Sequence, residues 1–127
     1  MACVADAVPP SHSPEQPIHR DFNPGNLLWS RNRWTGTVDW VHLCRGPVEE
    51  DLARCRLNIW LLAGVPAAAR FLEVVESSGV PYDRRWDLSL LADAAHHLDG
   101  FAPAANQLGA ELTTALVRAR AQDIARQ

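Results

Sequence analysis

The chain has no lysine: all twelve of its basic residues are arginine. Within these residues, then, no lysine can pair with nucleotide phosphates, and neither a GxGxxG nor a GxxxxGK string is present. The three cysteines, Cys3, Cys44 and Cys55, form no CxxC pair. An odd count without a secretory signal predicts reduced thiols, buried or inert, in a reducing compartment. The opening MACVADAVPP has no basic n-region and too short an apolar run for a signal peptide. The longest apolar stretch, around Ile59 to Val65, is far short of the roughly 20 residues that span a bilayer. A net charge of −3 gives no electrostatic case for nucleic acid. These absences predict a soluble, cytoplasmic chain with neither a nucleic-acid nor a membrane partner. Repeats and low-complexity tracts are also lacking.

What remains is ordinary globular material. At 127 residues and 47% apolar, the chain fits one compact domain. Residues 1–17, with Pro9, Pro10, Pro14 and Pro17, read as a loose lead-in with one helical turn near Ala5. Residues 26–30 (NLLWS) and 34–40 (WTGTVDW) read as two short strands, joined as a hairpin by the polar turn Arg31-Asn32-Arg33. Gly36 inside the second strand marks a bulge or a close backbone approach.

After Gly46-Pro47 the pattern turns helical. Glu49, Glu50 and Asp51 suit a first helical turn, where carboxylates meet the positive end of the helix. Leu52, Cys55, Ile59 and Leu62 follow at helical spacing, and Gly64 closes the segment. A second helix starts at Pro66, carries Phe71, Leu72, Val74 and Val75, and ends at Ser77-Ser78-Gly79. A third runs from about Arg84 to Leu98. A fourth runs from about Pro103 to Arg126 with Leu108, Leu112, Leu116 and Ile124 inward. Trp29, Trp34, Trp40, Trp60 and Trp86 are expected to anchor the core, although one could line a cleft. The fold class expected is α+β and mostly α: a short hairpin followed by about four helices.

The chemistry concentrates in HRDFNPGN, residues 19–26. One loop offers a carboxylate, Asp21, and a carboxamide, Asn26, and the second strand then brings Asp39. This is the part list of a phosphoryl-transfer centre. One Asp takes the proton of an attacking hydroxyl, and an Asn and an Asp hold Mg²⁺ on the phosphates. Simpler readings stand beside it: Asp21 making an Asx turn, Asn26 and Asp39 binding backbone at hairpin ends, Asp51 merely starting a helix. His96-His97 has no partner set for zinc and reads as a half-exposed helix feature.

The strings HRDFNPGNLLW, TGTVDW and GPVEEDLA resemble the aminoglycoside phosphotransferase family, relatives of choline kinase and, more distantly, of protein kinases. Close resemblance covers roughly residues 17–57. It implies that Asp21 is the catalytic base, that Asn26 and Asp39 are the metal and nucleotide ligands, and that His19 orders the loop. Asp51 would brace it. It implies Mg²⁺ as cofactor, ATP as donor and a small hydroxylated molecule as acceptor. The expected fold becomes the C-lobe of a protein-kinase-like fold over residues 18–127. Arg20 replaces the family's usual Gly, Asn23 a frequent His, and Val41 a frequent acid after DW; none of these is a chemical position.

Such an enzyme also needs a lobe covering the nucleotide, with its phosphate-pairing lysine. The resemblance therefore implies a truncated phosphotransferase, slow or inactive alone, with an exposed apolar face where that lobe or a second copy would associate. Glu73, Glu76, Asp83, Asp87, Asp93 and Asp99 could form a pocket for a polycationic amine, or simply a solvated face. Two rivals remain: a non-catalytic remnant serving as a helical binding module, and a metal-dependent hydrolase using Asp21, Asp39 and a His.

Overall fold

Two antiparallel strands, β1 (Gln16–Ile18) and β4 (Cys44–Gly46), close the neck of a chain excursion that contains the whole candidate site. In the computed structural model, which describes Pro9 and residues 13–127, Gln16 faces Gly46 and Ile18 faces Cys44. Ile18 is buried, and its Cδ1 lies 2.6 Å from where a Cβ on Gly46 would sit, so any larger residue there would make Ile18 shift. At three residues each, both strands are too short to show an alternating pattern in the sequence. Cys3 and the helical turn expected near Ala5 lie outside the described residues.

Within the excursion stands the hairpin of β2 (Leu27–Ser30) and β3 (Arg33–Thr37). Leu28 pairs with Gly36 and Trp29 with Trp34, so Thr35 is skipped as a bulge beside Gly36. Arg31 and Asn32 have φ of 51° and 61°, the left-handed pair that a two-residue type I′ turn requires. The hairpin is only two strands wide, and among the described residues nothing is packed on its outer face. Trp29, Trp34 and Trp40 are accordingly exposed, at 62%, 60% and 48%, so the expectation that all five tryptophans anchor the core is corrected for these three.

Five α-helices follow. They are α1 (Val48–Ala63), α2 (Val65–Ser77), α3 (Arg85–Ala94), α4 (Leu98–Gln107) and α5 (Thr114–Ala125). The third helix ends sooner than expected, at Ala94, with a 3-10 turn from Ala95 to His97. The helix expected from Pro103 to Arg126 is two helices. Gly109 at φ +91° ends α4, with Ala110 N–H bonding back to Ala105 C=O, a Schellman-type stop. Thr113 then caps α5 by accepting from Leu116 N–H at 3.1 Å.

The core is helical throughout. Ala53, Leu57, Trp60 and Leu61 of α1 meet Ala68 of α2, Trp86 and Leu90 of α3, and Val117, Ala121 and Ile124 of α5. The buried stripe of α1 includes Cys55 but runs along Leu57 and Leu61 instead of Leu52, Ile59 and Leu62, which are only half buried. On α5, Leu116 is exposed and Val117 and Ala121 point inward, because the α4–α5 corner resets the helical phase. A buried ion pair joins three elements: Arg56 of α1 meets Asp87 of α3 and donates from Nε to Ala68 C=O of α2 at 3.2 Å. Tyr82 donates to the other Asp87 oxygen at 2.7 Å. Arg120 of α5 caps the end of α1, with Nη1 donating to Leu61 and Leu62 C=O at 2.8 Å each.

Candidate active site

The site begins with a carboxylate from α1. Asp51 accepts His19 N–H on Oδ2 at 2.6 Å and Arg20 N–H on Oδ1 at 2.8 Å, so one side chain fixes two successive backbone groups of the loop. It lies in the first turn of α1, whose N-cap is Pro47 and offers no side-chain cap. Arg20 sits at φ +65°, in the left-handed region that glycine adopts without strain. That conformation explains why the related pattern usually carries Gly there. Here Arg20 is held by the two-bond anchor on Asp51 and by Glu50, 3.5 Å from its Nε.

His19 is buried and works as a clasp. Its Nδ1 accepts Asp21 N–H at 3.1 Å, so the ring proton is on Nε2, which donates to Val38 C=O at 2.8 Å. The imidazole thereby ties the loop to the strand end that carries Asp39. Trp40 lies against it, ring centroids 4.6 Å apart, and donates its own Nε1–H to Thr37 C=O at 2.8 Å.

Asp21 is half buried and bracketed by two amides. Asn23 Nδ2 donates to Oδ1 and Asn26 Nδ2 to Oδ2, both at 3.1 Å, and both amides also reach Asp21 C=O. The Asx turn in this loop is made by Asn23, whose Oδ1 accepts Gly25 N–H at 2.9 Å. Among the described residues, no backbone N–H donates to the Asp21 carboxylate. Asn26 C=O accepts Val38 N–H at 3.0 Å, which brings Asn26 beside the residue before Asp39. Asp39 itself has φ +66° and ψ 53°, stands exposed, and makes no side-chain cap to the 3-10 turn that follows.

The donor set fits part of a Mg²⁺ shell. Asn26 spends its amide nitrogen on Asp21, which leaves Oδ1 free, and the Asp39 carboxylate has no hydrogen-bond partner among the described residues. Two hard oxygens of this kind suit Mg²⁺, which takes the rest of its shell from water and phosphates. Among the described residues no group of three or more His, Cys, Asp or Glu could hold a metal ion by itself. His96 and His97 lie exposed.

Around this loop the surface is open and apolar. Leu28, Trp29, Trp34, Val38, Trp40, Val41 and Leu43 are each at least 40% exposed, all within the excursion. Two cavities of about 180 Å³ each lie elsewhere, against Arg56, Trp60 and Arg84. Trp60 is nine residues past Asp51 on α1, about 13 Å along the axis. Most acids of the later helices are engaged. Glu73 pairs with Arg70, Asp83 with Arg85, Asp87 with Arg56, Asp93 with Arg54 and Asp99 with Arg118. The buried Cys55 thiol is pushed up to about 12 by burial and, second, by the nearby Asp51. Asn23 and Leu108 border the loop beyond the expected site residues, and Leu108, expected to face inward, is exposed. Asn23 carried a usable signal, since Asx residues two apart often bond within a turn.

The phosphotransferase enzyme family matches the chain over residues 1–88, and the chain belongs to that family. The match covers the loop, the hairpin, α1 and α2, and stops inside α3. No curated protein and no solved structure matches the chain. Among the described residues, no helix is long and apolar enough to cross a membrane.

Proposed function

We propose that these residues form the catalytic loop of an ATP-dependent O-phosphotransferase, set in a protein-kinase-like C-lobe. Its acceptor is a hydroxyl of an aminoglycoside-like compound or another small metabolite. One observation carries the reading. Asp21 is held between two carboxamides in a loop anchored on Asp51, and Asn26 C=O takes the N–H of Val38, the residue before Asp39.

Asp21 takes the proton from the acceptor hydroxyl as that oxygen forms its bond to the γ-phosphorus. The bond from phosphorus to the β–γ bridging oxygen breaks, and its electron pair leaves with the nucleoside diphosphate. Asn23 and Asn26 aim the Asp21 carboxylate, His19 and Trp40 keep the Asp39 strand against the loop, and Asn26 and Asp39 hold the metal. Mg²⁺, when bound, neutralises charge on the phosphates. The lysine that pairs with the α- and β-phosphates has to come from outside this sequence. The exposed face of Leu28, Trp29, Trp34 and Val41 is the surface a nucleotide-covering lobe would take.

The absence of lysine also favours a second reading, a non-catalytic helical binding module that inherited an idle loop. A thermal-shift titration with Mg-ATP separates the two. Under the first reading the wild type is stabilised saturably, by roughly 2.7 kcal/mol at a hundredfold excess over Kd, and Asp39→Ala abolishes the response. A flat titration at millimolar Mg-ATP would leave the module reading standing. With a nucleotide lobe supplied, Asp21→Asn should cut transfer about 10²–10⁴-fold.

A further inference from the structure

Acceptor chemistry is the part of the phosphotransferase reading that neither the loop nor the metal ligands address. Acceptors reach Asp21 across whatever surface adjoins the catalytic loop. Beside α1, which anchors the loop through Asp51, the α4–α5 corner adds to that surface. A Cβ added at Gly25 would meet Leu108 Cδ1 at 3.3 Å and Asn23 Oδ1 at 3.0 Å, so Leu108 lies beside the loop at Gly25. Asn23 links Gly25 to Asp21, accepting from the one and donating to the other. A continuous surface thus runs from Leu108 through Gly25 and Asn23 to the Asp21 carboxylate.

Leu108 is 77% exposed, level with Val41 as the most exposed large hydrophobic residue described. Its place is fixed. Asn106 spans the corner, donating from Nδ2 to Leu112 C=O and accepting Leu112 N–H on Oδ1, both at 2.9 Å. Gly109 in the left-handed region makes the reversal. A leucine held in water at such a fixed corner is poised for contact with something apolar.

Charge argues in the same direction. A polycationic amine needs several unpaired carboxylates near the reacting hydroxyl. Of the acids that follow α1, Glu73, Asp83, Asp87, Asp93, Asp99 and Asp123 already face arginines, and Glu76 on α2 has no ion pair among the described residues. In the α4–α5 corner Glu111 stands alone as an acid. One exposed carboxylate gives little pull on a polycation at physiological salt.

We infer that the acceptor is an alcohol with an uncharged, partly apolar body, and that Leu108 is a specificity-determining contact for it. This rests on the phosphotransferase reading above and narrows its acceptor to a neutral amphipathic class. The corner excludes polycations by offering no cluster of free acids and admits apolar groups against Leu108.

The test is a ¹H–¹⁵N titration of the chain, in 150 mM salt, with two probes: phenyl β-glucoside, a neutral polyol with an apolar end, and neomycin, a polycation. The inference expects saturable shifts at the Gly25 and Gly109 amides with phenyl β-glucoside and none there with neomycin. In Leu108→Gln the glucoside affinity should drop about fivefold. At so exposed a position this change leaves folding intact. Saturable neomycin shifts at Gly25, silence of both probes, or an unchanged affinity in Leu108→Gln would each overturn the inference. The kinase reading fails separately. If the glucoside binds but the Mg-ATP titration stays flat, the surface stands as an amphiphile site and the transfer chemistry is wrong.

Discussion

The Asp51 anchor offers the sharpest test of how the candidate site is held. Its carboxylate receives two backbone N–H groups at 2.6 and 2.8 Å, one on each oxygen. In Asp51→Asn the volume is kept, but one oxygen becomes an NH₂ group facing a donor. One charge-assisted bond, worth about 1.5–3 kcal/mol, is lost, and the other weakens to a neutral one. With Asp51 half buried, a net cost of about 2–3 kcal/mol follows. For a domain this size that is a large share of a total near 10 kcal/mol. With a urea m-value of about 2 kcal/mol/M, the unfolding midpoint should fall by roughly 1–1.5 M.

Two local readouts sharpen the test. Amide exchange at His19 and Arg20 should speed up relative to the α1 core, and the Cys55 thiol, which Asp51 helps push up, should titrate lower. A midpoint within about 0.3 M of wild type, with unchanged exchange at both amides, would refute the claim that Asp51 carries the loop.

Three further outcomes follow from the same geometry. Arg56→Met strands Asp87 in the core and should cost about 3–5 kcal/mol by chemical denaturation, with Arg56→Met/Asp87→Leu recovering most of it; equal losses in single and double variants would contradict a coupled pair. Arg20→Gly and Arg20→Ala both remove the contact with Glu50, so their difference isolates the left-handed backbone; glycine should be the more stable by about 1 kcal/mol, and parity would count against strain at this residue. Cys55 binds its proton more tightly folded than unfolded, so its contribution is complete below pH 9 and fades as pH rises from 9 towards about 12; Cys55→Ala should flatten that alkaline decline in thermal stability, and an unchanged slope would count against it.

Much of the site was legible in the chain before any fold was known. The spacing of Asp21, Asn26 and Asp39, the polar hairpin turn and the acids opening α1 are all features of short sequence windows. The α4–α5 break was legible too, since Gly109 stands at the usual position of a left-handed helix stop and Thr113 at a cap, but the leucine spacing across them favours one continuous helix. Exposure was not legible. Trp29 and Trp60 look alike in sequence, yet one lies on an uncovered two-stranded ribbon and the other between three helices.

By itself the sequence determined the candidate site residues, the local turns and caps around them, and the family to which the chain belongs. These depend on residues a few positions apart, where backbone geometry leaves few choices. Tertiary structure decided the rest. It placed β1 against β4 across 25 intervening residues, turned Arg56 inward onto Asp87, paired the later acids with arginines and set Leu108 beside Gly25. Those outcomes join segments far apart in the chain, and which side chain meets which is settled only when the helices pack.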